Sequence, residues 1–97
     1  MTPYVLTDLA ESDLLEITSY IAEDNLTAAE RVLADFKAAF EKLAKLPEIG
    51  HLRRDLAREE LRFWPVHSYL IIYRPATKPL QVIRVLSGYR DIPGLLG

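Results

Sequence analysis

Apolar positions change their period along the chain, and the changes divide it into elements. Residues 3–7 are short, β-prone and bounded by polar side chains, which predicts a first strand. From Asp8 the spacing becomes helical, with Ala10, Leu14, Ile17 and Ile21 on one stripe. Asp8 and Glu11 read as a capping pair for this helix, and acids in a first turn suit the helix dipole. Its end is expected near Asp24 and Asn25, because Asn tolerates the left-handed conformation that closes helices. A second stripe follows, of Ala29, Val32, Leu33, Phe36, Phe40 and Leu43, with Thr27 and Glu30 as its capping box. Pro47 stops it, since proline disfavours a helical residue before it. Two helices joined by so few residues form an antiparallel hairpin.

Residues 51–60 are polar and charged and read as loop, with room for one helical turn. The period then becomes that of strands. Leu61, Phe63 and Pro65 alternate with Arg62, Trp64 and Val66. Residues 69–73 are apolar without interruption, as a central strand covered on both faces would be. Thr77, Lys78 and Pro79 make the turn to a last strand over 80–87, where Ile83 and Val85 oppose Arg84. The predicted fold is α+β: an N-terminal strand, then a helical hairpin packed on one face of a mainly antiparallel three- to four-stranded sheet.

Length changes this picture little. A chain of 97 residues forms one domain, expected to span 1–97, because two would each be too small to bury a core. Charge changes it more. The net charge of −2 conceals ten acidic against four basic residues over 1–50, and four against eight over 51–97. If each half forms one face, the molecule is an electrostatic dipole. The acids of the hairpin, among them Glu11, Asp13, Glu16, Glu23, Asp24, Asp35 and Glu41, read first as a solvated outer face. Arginines on a sheet with one covered face must point to the open face or pair with an acid, because an unpaired buried charge is costly. That reasoning predicts a cationic open face carrying Arg62 and Arg84.

Candidate chemistry is sparse. Without cysteine there is neither a disulfide nor a thiol nucleophile, which fits a cytoplasmic location. No basic segment followed by an apolar stretch opens the chain, and its longest apolar run is far too short to span a membrane, so no membrane partner is expected. His51 and His67 are far apart in sequence and make a poor metal site. Ser68 and Ser87 have no acid–base partner in any hydrolase pattern, and four scattered glycines build no phosphate cradle. No catalytic residue, metal ligand or cofactor is assigned.

Four runs in order carry a family resemblance. They are Asp13-Leu14-Leu15-Glu16-Ile17-Thr18-Ser19-Tyr20-Ile21; Leu43 with Pro47, Gly50 and Arg53; Leu61-Arg62 with Val66, Tyr69, Ile71 and Tyr73; and Ile83-Arg84-Val85-Leu86-Ser87-Gly88-Tyr89-Arg90-Asp91. Together they cover nearly the whole chain, which resembles the ParE branch of the RelE/ParE toxin superfamily. Ser87 stands where that pattern usually has histidine.

The resemblance implies the toxin of a type II toxin–antitoxin pair, neutralised by a small cognate antitoxin and directed at DNA gyrase. It implies target contacts at Arg62, Trp64, Arg84, Tyr89 and Arg90, and antitoxin contacts at Leu15, Tyr20, Arg31 and Asp35. One alternative is a ribosome-dependent messenger-RNA endoribonuclease of RelE type using Arg62, Arg84, Tyr89 and Arg90, with Tyr89 as its acid–base group. Those nucleases carry an arginine after the strand tyrosine, where this chain has Leu70. They tend to have lysine near Trp64, and residues 92–97 offer no titratable side chain. A second alternative is a non-toxic relative that only binds antitoxin. Direct nucleic-acid binding without ribosome or gyrase is not expected.

Overall fold

The computed structural model describes residues 2–53 and 60–88. Their elements run β1 (Tyr4–Leu6), α1 (Asp8–Asp24), α2 (Leu26–Lys45), β2 (His51–Leu52), β3 (Arg62–Val66), β4 (Tyr69–Arg74) and β5 (Leu80–Ser87). The strands form one sheet in the order β1-β5-β4-β3-β2. β1 lies parallel to β5 and the other pairings are antiparallel. The α+β architecture is the expected one, with a fifth strand added. β2 was read as loop because two residues cannot display a period; its pairing of His51 with Phe63 and Leu52 with Arg62 extends the edge of β3.

The helix boundaries follow caps different from those expected. Thr7, not Asp8, caps α1: its hydroxyl oxygen accepts from the Ala10 N–H at 3.1 Å and donates to the Ile83 carbonyl at 2.7 Å. Thr7 therefore ties the start of α1 to β5. Asn25 alone joins the helices. It closes α1 by donating its N–H to the Ile21 carbonyl, and opens α2 by accepting from Ala28 N–H at 2.9 Å. Its φ of −156° is extended, not left-handed, because the N-cap role requires that region. Thr27 lies inside α2, so the Thr27–Glu30 box is not the cap.

The apolar stripes converge on one face of the sheet. Ala10 and Leu14 of α1 and Phe36, Phe40 and Leu43 of α2 pack with Ile71, Tyr73, Val82 and Val85. Phe36 lies 6.3 Å from Phe40 and 5.8 Å from Tyr69, ring to ring, and Tyr4 lies 5.2 Å from Phe40. Burying each large side chain contributes about 1.5–3 kcal/mol. The opposite face is apolar too: Leu61, Phe63, Ile72 and Leu86 form a second buried cluster, with Leu70 and Ile83 against it. β4 is thus the central strand buried on both faces that its unbroken hydrophobicity predicted. Among the described residues no helix is long and apolar enough to cross a membrane.

Candidate functional site

Arg62 and Arg84 are not on an open cationic face, and that expectation is corrected. Arg84 turns toward α1. Its Nε and Nη2 donate to the two carboxylate oxygens of Asp13 at 2.7 and 2.9 Å, and the side chains are only 12% and 10% exposed. A β-bulge explains the direction. Ile72 pairs with Arg84 but Tyr73 pairs with Val82, so Ile83 is an extra residue in β5. A bulge breaks the alternation of side chains. Ile83 joins the second cluster, while Arg84 and Val85, though consecutive, both face the helices. The same turn of backbone aims the Val85 N–H at Asp13, which accepts it at 3.1 Å. Asp13, expected on the solvated face, is in fact buried. Its hydrogen bonds to Arg84 raise the guanidinium pKa, against the opposing effect of burial, and so hold the cation charged.

Arg62 is also engaged within the fold. Its guanidinium donates to the carbonyls of Gly50 (2.7 Å) and Glu48 (3.1 Å) and to the Glu48 carboxylate (2.9 Å). Beside it the Tyr73 hydroxyl donates to the Pro47 carbonyl and accepts from the Gly50 N–H. Arg62 and Tyr73 together fasten the connection between α2 and β2. A Cβ at Gly50 would land on the Tyr73 ring, which is why that position is glycine. Trp64 is half-buried at the edge of β3, with the His51 ring stacked on it at 6.3 Å and Lys42 Nζ 5.2 Å from its centroid. Tyr89 and Arg90 lie outside the described residues.

A cleft of about 250 Å³ opens where α1 meets the ends of β4 and β5. Asp13, Glu16, Ile17 and Tyr20 form its helical wall; Ser68, Tyr69 and residues 85–87 form the other. β1 pairs with β5 only as far as Val82, so beyond it the outer edge of β5 has no neighbouring strand among the described residues.

Of the four expected antitoxin contacts, Tyr20 borders this cleft and is 72% exposed. Leu15, 68% exposed, precedes Tyr20 by five residues, about 140° around the helix, so the two face different directions. Arg31 is exposed on α2. Asp35 accepts from or pairs with His67 Nε2 at 2.8 Å, tying α2 to the β3–β4 turn. That turn, whose Ser68 also lines the cleft, links Asp35 to the Tyr20 side.

Sequence reasoning missed Asp13, Glu16, Ser68 and Ser87. For Asp13 a signal existed: with Ala10 and Ile17 it forms an i, i+3, i+7 series inside the apolar stripe, opposite a lone arginine in an apolar strand. Among the described residues no three His, Asp or Glu side chains converge on a point that could hold a metal.

Comparison with known proteins agrees with this architecture. Toxin ParE3 of Caulobacter vibrioides is 28% identical over 86 residues, covering 88% of this chain and 85% of that toxin. The family model of the ParE toxin of the type II toxin–antitoxin system parDE matches residues 4–92. The chain therefore belongs to the ParE toxin family of type II toxin–antitoxin systems.

Proposed function

We propose that this toxin acts by binding its target, DNA gyrase, rather than by cleaving RNA, and that its antitoxin neutralises it at the α1–β5 cleft. The observation that carries the first half is the fate of the sheet arginines. Metal-free phosphodiester cleavage needs a cation for the developing charge and a group to move the proton. Arg84 is held by Asp13 and Arg62 by the Glu48–Gly50 segment, while on the sheet face away from the helices Leu61, Phe63, Ile72 and Leu86 form a buried apolar cluster with Leu70 and Ile83 against it. The remaining acid–base candidate of the nuclease reading, Tyr89, lies outside the described residues.

The cleft suits an extended amphipathic segment. An apolar side chain fits against Ile17 and Tyr69, and a basic one meets Glu16. Two measurements test the reading. The purified toxin should inhibit supercoiling by gyrase, and added antitoxin should reverse it. A toxin that leaves gyrase untouched but produces ribosome-dependent transcript cuts, lost in Arg90→Ala, would replace this reading with the nuclease. Normal growth on strong expression without antitoxin would point instead to a relative whose role is antitoxin binding. At the cleft, Tyr20→Asp should weaken antitoxin binding at least roughly tenfold, as a lost aromatic anchor does. Leu15→Asp, on the other side of the helix, should change it less.

A further inference from the structure

We propose that the edge formed by Lys42, Lys45, His51 and Trp64 is a second docking surface, fitted to an acidic amphipathic protein segment and separate from the α1–β5 cleft. The surface joins the last turn of α2 to the outer edge of β3 and the short β2. Lys42 and Lys45 are exposed and basic in that last turn, and neither is in an ion pair with a described carboxylate. The helix dipole accounts for part of their placement, but it presents only about half a charge. Two ammonium groups exceed it. Glu48, which follows closely in sequence, is occupied by Arg62.

Three further features say what kind of partner fits. Trp64 is half-buried with a cation over its ring and an imidazole stacked on it, an arrangement that offers a fixed aromatic edge and a fixed charge. Leu46, which closes the same helix, and Leu52, which follows His51, are both exposed. Exposed leucines next in sequence to Lys45 and His51, on the elements that carry the cations and flank the aromatic, resemble the composition of protein interfaces more than the polar surfaces that hold phosphates. Finally, β2 pairs only with Arg62 and Phe63, so among the described residues no strand pairs with the outer edge of β3 from Trp64 onward, yet Pro65 has no N–H to offer there. A partner therefore cannot add as a strand and must be recognised through side chains. Carboxylates on Lys42 and Lys45 with an apolar residue against Trp64, Leu46 and Leu52 satisfy all of these groups.

Trp64 is the chain's single tryptophan, so its emission reports on this surface directly. The toxin is titrated with a synthetic amphipathic peptide of Glu and Leu, at low and high salt, beside a Lys–Leu peptide and a DNA duplex. The acidic peptide should change the emission saturably and bind more weakly at high salt. Binding should fall roughly tenfold or more, a loss of about 1.4 kcal/mol per decade, in both Lys42→Glu/Lys45→Glu and Lys42→Gln/Lys45→Gln. Both double variants should keep the wild-type urea midpoint and wild-type antitoxin affinity. No response to the acidic peptide, an equal response to the duplex or the basic peptide, or binding indifferent to both substitutions would overturn the proposal. Loss of antitoxin affinity in a folded double variant would overturn the separateness of the two surfaces.

Discussion

Replacing Asp13 by alanine isolates the interaction on which the placement of α1 depends. The substitution removes the acceptor of two guanidinium hydrogen bonds and of the Val85 N–H. Arg84 remains cationic, because no accessible pH deprotonates it, and it remains beneath α1, where the bulge has aimed it. An uncompensated buried charge of this kind costs about 3–5 kcal/mol, and the orphaned N–H lies within that range of cost rather than fully on top of it. Small domains are stable by only about 5–15 kcal/mol, so Asp13→Ala should be close to unfolded at ambient temperature. Removing both charges is a different perturbation. Asp13→Leu/Arg84→Met replaces a buried ion pair by apolar volume, which is commonly neutral or stabilising by about 1–4 kcal/mol.

The assay is a double-mutant cycle by urea unfolding at neutral pH, using Asp13→Leu, Arg84→Met and the pair. With the double variant near wild type, the coupling energy equals the summed cost of the two single substitutions and should be at least about 3 kcal/mol. Single substitutions costing below about 1 kcal/mol, or effects that add within about 0.5 kcal/mol, would refute a buried, mutually dependent pair. The same variants separate structure from target recognition. A well-folded Asp13→Leu/Arg84→Met toxin should still arrest growth. If it folds and is inert, Arg84 contacts the target directly and its role is not the one assigned here.

Gly50→Ala places a Cβ against the Tyr73 hydroxyl and within 2.8 Å of its Cε1, and should destabilise by about 1–3 kcal/mol on thermal unfolding, as overpacking does. Tyr73→Phe strands the buried Gly50 N–H and should cost about 1–3 kcal/mol, read as a fall in urea midpoint. The Tyr73 phenol is raised above its ordinary value of 10.0, chiefly by burial. Its neutral form is favoured in the folded state, so its contribution is complete below pH 10 and is lost as pH rises through the folded value. Tyr73→Phe should therefore flatten the alkaline fall in stability, leaving a remnant from Tyr4, which burial and then Glu41 shift the same way. Asn25→Ala removes the side-chain cap of α2 and should cost about 1 kcal/mol in the urea midpoint, whereas Asn25→Asp should be nearly neutral.

Which of these features the sequence discloses follows from how each is encoded. The hairpin and the central strand are periodic over many residues, so Leu14, Ile17, Phe36, Phe40 and the run from Tyr69 to Tyr73 announce them without help. β2 spans two exposed residues and exists only through its pairing with β3, so no local pattern could reveal it. The caps were misplaced because Thr7, Asp8, Asn25 and Thr27 are all competent N-caps, and the choice depends on where the chain leaves the sheet. The largest error, the direction of Arg84, came from assuming strict alternation along β5. A single inserted residue reverses that inference for everything beyond it. Tyr20 stands out in sequence as a large aromatic in a recognisable run and borders the cleft, whereas Ser68 and Ser87 join the cleft only through tertiary packing.

The position of the buried pair has a consequence for regulation. Asp13 lines the cleft on the same helical wall as Glu16 and Tyr20, so the bonds that seat α1 on β5 also hold that wall in place. A segment bound there braces α1 against β5 and stabilises the fold by RT ln(1 + [L]/Kd), about 2.7 kcal/mol at a hundredfold excess over Kd. If antitoxin occupies this cleft, weakening the pair weakens the antitoxin complex, and antitoxin in turn stabilises the weakened fold less than it stabilises wild type. Asp13→Asn, which keeps one acceptor oxygen, is the variant that exposes this linkage. Its antitoxin affinity should be lower, and its thermal midpoint should therefore rise less on antitoxin addition than that of wild type. An equal rise together with unchanged affinity would mean that the cleft is rigid without the pair, and that antitoxin is held elsewhere on the hairpin.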